Sequence, residues 1–194
     1  MRFTAFFGAG LALLLLQSNL FRAIVVAERV LSAVLMWIHL TDHEVNVPGF
    51  VPQLVLPLVV YMGVHEYSLA RGASVAFVLG YFTDLVGIAP VGLYTFTYVA
   101  TFVLARAAGV RFAAQTRWMQ VVLGLVFSLV HSIMVLILVA IFWKDRDGWM
   151  PRMIAPMALP HVIATSMTAP LVFRLAQRLH QATQGALRDP GAQP

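Results

Sequence analysis

Three ionisable side chains stand inside apolar runs: Asp84 in GYFTDLVGIAPVGLYTFTY, His131 in FSLVHSIMV and His161 in ALPHVIATS. An Asp or His in such a setting is costly and marks a proton relay, an ion path or a polar contact between helices. The depths argue against a simple relay line. At about 1.5 Å per helical residue, Asp84 lies roughly one turn from the end of its run and His131 falls near the middle of its own, with His161 closer to the Asp84 level. A helix–helix polar contact is therefore the expected role of each histidine, and His161 is a candidate partner of Asp84.

Two hydrolytic readings fail on spacing. His65 and Glu66 begin like a zinc-protease motif, but the fourth position after His65 is Leu69, where that chemistry needs a second His. Ser128, His131 and Ser132 share one apolar run, and His161, Thr165 and Ser166 another, yet no glycine-rich nucleophile turn accompanies these hydroxyls. The chain has no cysteine, which removes disulfides, thiolate metal sites and cysteine nucleophiles together. No catalytic, metal or cofactor site is expected.

Asp84 then needs a structural account. An ionised Asp well inside a bilayer costs about 2.5–3.5 kcal/mol on insertion scales, and the negative end of its own helix adds to that. Candidate compensations are the Thr83 and Thr97 hydroxyls, His161, the backbone donors opening the next helix, or an Arg from a partner. The residues that follow form a reversal. Gly87 is expected to end the helix in a left-handed conformation, Pro90 to open the next at its first turn, and Gly92 to permit close backbone approach. Asp84, Gly87, Pro90 and Gly92 are thus the candidate turn or partner-binding residues.

The elements that carry this corner are set by composition. Of 194 residues 60% are hydrophobic and only 11% charged, with a mean hydropathy of +0.84, which a soluble domain of this size would not show. The net charge of +5 comes from basic residues scattered between apolar runs, a pattern of membrane topology and not of nucleic-acid binding. Six runs, about 3–20, 50–66, 72–88, 91–106, 118–143 and 153–174, predict six transmembrane helices in an all-α polytopic bundle covering residues 1–178. A cytoplasmic C-terminal tail of 179–194 follows. The first run is read as an uncleaved helix, since no small-x-small cleavage pattern follows it.

Placing both termini in the cytoplasm puts eight of the 13 Lys and Arg residues inside and five outside. Short connections at 70–72 and 87–92 make the second, third and fourth helices antiparallel neighbours. Residues 22–47 gather Arg22, Glu28, Arg29, Ser32 and His39 on one helical face, and are expected to form a periplasmic amphipathic helix lying on the membrane. Pro52 and Pro57, and Pro151, Pro156, Pro160 and Pro170, predict kinked or broken segments.

On these residues the chain resembles the MreD family of rod shape-determining membrane proteins. The likeness runs through LLLLQSNLF, PQLVLPLVVYMGV, RGASVAFVLGYFTDLVGIAPVGLYTFTYV and LPHVIATSMTAPLVFRLAQRL, and is most specific at Asp84, Gly87, Pro90, Gly92 and Leu93. The resemblance implies a non-enzymatic scaffold in the bacterial cytoplasmic (inner) membrane, a component of the elongation machinery for peptidoglycan synthesis and rod cell shape. It implies direct binding to MreC, with MreB, RodA and a penicillin-binding transpeptidase in the wider complex, and a six-helix architecture similar to the substrate-binding components of energy-coupling-factor transporters. A small-molecule-binding transport subunit is the alternative expectation from that architecture. The 22–47 insertion is where this sequence departs from the family pattern.

Overall fold

A computed structural model describes residues 2–37, 50–65, 68–87, 90–108, 116–142 and 149–188, and these described residues form six α-helices. They are α1 (Arg2–Trp37), α2 (Val55–His65), α3 (Leu69–Val86), α4 (Leu93–Ala107), α5 (Arg117–Phe142) and α6 (Trp149–Arg188). No strand occurs among the described residues. Stretches of 27, 18, 26 and 30 residues within α1, α3, α5 and α6 are long and apolar enough to cross a membrane.

α2 is the centre of the bundle. Its sequence, VLPLVVYMGVH, is apolar on every side, so it has no face to offer water, and Val55 through Val64 are all buried. Around it lie Leu13 and Leu14 of α1, Leu79 of α3, Tyr98 and Phe102 of α4, Phe127 of α5 and Phe173 of α6, one continuous core. Pro57 does not break α2 because it occupies the first turn, where a backbone N–H has no intrahelical acceptor.

The distribution of polarity is the reverse of a water-soluble protein's. Leu15, Phe77, Leu125, Ile133, Ile137 and Leu171 face outward, while Gln53, Asp84, Thr97, Ser128, His131 and Thr165 are buried. In lipid an apolar exterior costs nothing, and of these buried polar residues Gln53, Asp84, Ser128 and Thr165 hydrogen-bond to other elements.

Glycines set how closely the helices approach. A Cβ on Gly80 would lie 2.5 Å from Thr95 Cα, so α3 and α4 are in backbone contact there. One on Gly63 would lie 2.8 Å from the Phe102 carbonyl oxygen, and one on Gly124 2.6 Å from Ala169 Cβ, which brings α2 against α4 and α5 against α6.

Several expected boundaries move. α1 runs unbroken through Trp37, so residues 22–37 continue the first helix and are not a separate surface helix. No proline or glycine falls between Arg22 and Trp37 to end it. Residues 38–47 of that expectation lie outside the described residues. The connection placed at 70–72 falls earlier, because Ser68 caps α3 by accepting from the Arg71 N–H at 3.4 Å, which leaves Arg71 and Gly72 helical. α6 continues through Pro156, Pro160 and Pro170 to Arg188, so no break is present at these prolines, and the helix carries on past residue 178.

Candidate functional site

Asp84 is 2% exposed and lies in the last turn of α3. Its carboxylate accepts four hydrogen bonds. Oδ2 accepts from the backbone N–H of Gly92 at 2.9 Å, the N–H of Thr95 at 3.0 Å and the Thr95 hydroxyl at 2.6 Å, and Oδ1 accepts from the Tyr94 N–H at 2.8 Å. The first N–H groups of a helix have no intrahelical acceptor and carry the positive end of its dipole. Asp84 supplies both an acceptor and a negative charge to the start of α4, serving as its cap from a neighbouring helix.

Of the compensations considered for Asp84, the backbone donors opening α4 are the ones used, with the Thr95 hydroxyl added. The Thr83 hydroxyl donates instead to the Leu79 carbonyl and the Thr97 hydroxyl to the Tyr94 carbonyl. His161 is not a partner of Asp84. Its Nδ1 lies 2.7 Å from the Val51 carbonyl oxygen and its Nε2 3.4 Å from Gln53 Oε1.

The reversal is built differently from the expectation. Gly87 is extended (φ −83°, ψ 175°), with its N–H donating to the Thr83 carbonyl at 2.9 Å; it is not left-handed. Pro90 precedes the first turn of α4, and its carbonyl accepts from the Leu93 N–H at 3.2 Å. Gly92 holds the left-handed position (φ +101°), which glycine adopts without steric cost. An added Cβ there would meet nothing within 4 Å, so its backbone angle and not close approach requires glycine. The close-approach glycine is Gly80, one helical turn before Asp84, a residue the sequence reading left without a role.

A second polar set anchors the start of α2. The Gln53 N–H donates to Thr165 Oγ1 at 3.0 Å, Gln53 Nε2 donates to the Tyr98 hydroxyl at 2.6 Å, and the Leu54 N–H donates to Gln17 Oε1 at 3.0 Å. Side chains of α6 and α1 thus accept from the two backbone N–H groups just ahead of α2, and Tyr98 of α4 holds the Gln53 side chain. The partners are separated by 112, 45 and 37 residues, so no local motif announces them.

These two sets flank a cavity of about 500 Å³ lined by α1, the segment before α2, the α3–α4 corner, α5 and α6. Asp84 is adjacent to its wall: Thr83, Val86 and Gly87 line it, as does Tyr94, whose N–H Asp84 holds. The Tyr94 ring in turn packs on His131, with centroids 6.1 Å apart and planes at 23°. His131 is 2% exposed and also lines the cavity, and neither of its ring nitrogens has a hydrogen-bond partner among the described residues. It therefore makes ring contacts, with Tyr98 as well, where a polar contact between helices was expected.

The serines of the hydrolase reading turn to backbone carbonyls: Ser128 Oγ to Leu125 and Val162, Ser166 Oγ to Ile163. His65 closes α2, stacked on Tyr61. Among the described residues no group of three His, Asp or Glu side chains could hold a metal ion.

Fold and site together define an all-helical protein with several helices able to span a membrane, a carboxylate-capped corner and a cavity beside it. No protein-family model, curated protein or solved structure matches the chain.

Proposed function

We propose that the chain is a non-enzymatic scaffold of the bacterial inner membrane, resembling MreD, that binds MreC and helps direct peptidoglycan synthesis and rod shape. In this reading all six helices cross the membrane in an arrangement similar to an energy-coupling-factor substrate-binding component, with both termini cytoplasmic and the α3–α4 corner at the periplasmic end. MreB, RodA and a penicillin-binding transpeptidase belong to the wider assembly.

The observation that carries the reading is the corner. Of the residues of strongest resemblance, Asp84, Gly87, Pro90, Gly92 and Leu93, Asp84 holds the start of α4 against the end of α3 through the Gly92 N–H, and the Pro90 carbonyl accepts from Leu93 within the turn. A preorganised helix pair loses little entropy on binding, and small residues and an apolar exterior suit a transmembrane partner. The test is co-purification and site-specific crosslinking with MreC. Wild-type protein is expected to retain MreC, and an inserted Asp84→Asn, Gly92→Ala double variant to lose most of it. Unchanged association in a correctly inserted variant would remove the corner from the interface. The second reading, a small-molecule-binding transport subunit, draws its support from the cavity of about 500 Å³, a volume typical of ligand sites.

A further inference from the structure

We propose that the stretch of α1 from Arg22 to Val30 holds an anionic phospholipid, with Arg22 and Arg29 pairing with its phosphate headgroup. The inference goes beyond the scaffold reading and rests only on α1 crossing a membrane.

The spacing of charge gives the depth. Arg2 and Arg22 are twenty residues apart with no charged residue between them, about 30 Å of helix, which is the thickness of a hydrocarbon core. Arg22 therefore falls at the headgroup level on the side opposite Arg2. Apolar character continues past it: the stretch able to cross runs from Thr4 to Val30, 27 residues or about 40 Å, and exceeds the core by roughly 10 Å. That excess tilts into the headgroup layer or projects through it, and Arg29 lies within it.

The bundle does not cover this stretch. Phe6, Leu13 and Leu14 of α1 are buried, whereas no described residue from Arg22 to Val30 is, and Val26 and Val30 are each 58% exposed. At about 100° per residue Arg22, Val26 and Arg29 share one face, with the two arginines about 10 Å apart along the helix. Both arginines are exposed, and neither has an ion pair among the described residues. Glu28, the acid of this stretch, lies roughly 100–120° around the helix from them. The face thus presents two unpaired guanidinium groups with an apolar side chain between them.

That combination matches an anionic lipid. Guanidinium groups pair with phosphate oxygens through parallel N–H donors, and their stems lie along apolar surface while the heads stay at the polar boundary. A headgroup of net negative charge is preferred over a zwitterionic one, whose own cation competes for the phosphate. Depth decides between a lipid and an acidic protein, because an arginine at the edge of the hydrocarbon meets phosphate groups first.

The probe is phosphatidylglycerol with a photoactivatable diazirine on its headgroup, mixed into phosphatidylcholine liposomes holding the full chain without MreC, with labelled positions mapped by peptide mass spectrometry. Labelling is expected to concentrate on residues 22–30, and a phosphatidylcholine carrying the same diazirine is expected to label them at least about tenfold less. Each arginine should contribute about fivefold, so the Arg22→Gln, Arg29→Gln double variant should lose about thirtyfold. Arg29→Gln alone carries the comparison if the double variant does not insert. Removing two exposed arginines elsewhere, Arg71→Gln with Arg117→Gln, should leave labelling of 22–30 unchanged. Equal labelling by the two lipids would overturn the proposal and leave the arginine face to an acidic protein. Undiminished labelling in the variants at 22 and 29, or an equal loss in the variant at 71 and 117, would also overturn it. None of these results bears on MreC retention, so the lipid site and the scaffold fail separately.

Discussion

At the scale of single residues, the corner separates two glycines that look alike in sequence. Gly92 sits at φ +101°, a conformation that costs an L-residue roughly 1–2 kcal/mol, whereas Gly87 is extended and exposed. Thermal unfolding of detergent-solubilised protein should show Gly92→Ala destabilised by about that amount and Gly87→Ala within about 0.5 kcal/mol of wild type. Comparable losses at both would contradict the observed backbone. Asp84→Asn tests the cap. It keeps the shape but replaces one acceptor oxygen with a donor facing N–H groups, and a loss of about 1–3 kcal/mol is expected. Asp84→Ala, which leaves three backbone N–H groups and a hydroxyl without their acceptor, should cost more than Asn. Equal stability of the two variants would mean that the charge and not the acceptor geometry is what α4 uses. The corner was largely legible because its chemistry is local: an acid, two glycines and a proline within nine residues state a reversal, and a buried acid demands donors. Which glycine would be left-handed was not legible. Either could adopt that conformation, and the choice is made by where the Gly92 N–H must point to reach Asp84.

At the scale of elements, Gly80 decides the distance between α3 and α4. An added methyl would fall 2.5 Å from Thr95 Cα and 2.7 Å from the Tyr94 carbonyl oxygen, both backbone atoms that cannot turn aside. Gly80→Ala is expected to force the two helices apart and cost roughly 1–3 kcal/mol, the range for overpacking a filled contact. Because Thr95 and Tyr94 are also the residues that donate to Asp84, the effects should not add. The Gly80→Ala, Asp84→Asn double variant should lose less than the sum of the singles in the same unfolding measurement, since separated helices no longer make the cap. Additive losses would show that the contact and the cap act independently. Sequence patterning located these helices but not this dependence: a glycine within an apolar run carries no mark of which backbone it will meet. The same holds for the start of α2, where Gln17, Tyr98 and Thr165 come from three other helices.

At the scale of the whole molecule, the number of crossings turns on α2 and α4. Their 11 and 15 residues span only about 16 and 22 Å of helix, short of a hydrocarbon core of about 30 Å, whereas α1, α3, α5 and α6 contain apolar stretches long enough to cross. Length alone therefore favours four crossings over the six that hydropathy predicts. Packing favours six. Val51 and Gln53, ahead of α2, line the same cavity as Gly87 at the end of α3, so Phe50 and Val91 lie toward one end of the bundle. Ser68, between the end of α2 and the start of α3, lies toward the other. Being central and buried, α2 need not match the lipid thickness, because the backbone N–H groups just ahead of it are satisfied by protein. The absence of cysteine permits a direct test with single substitutions at Phe50, Ser68, Val91 and Thr116 and an impermeant maleimide. With six crossings and cytoplasmic termini, Phe50→Cys and Val91→Cys should react in intact cells, and Ser68→Cys and Thr116→Cys only after lysis. If α2 and α4 do not cross, Phe50→Cys and Ser68→Cys should react together, opposite to Val91→Cys and Thr116→Cys. Reversal of all four would keep six crossings but place the termini outside, against the 8-to-5 distribution of basic residues that sets the expected orientation.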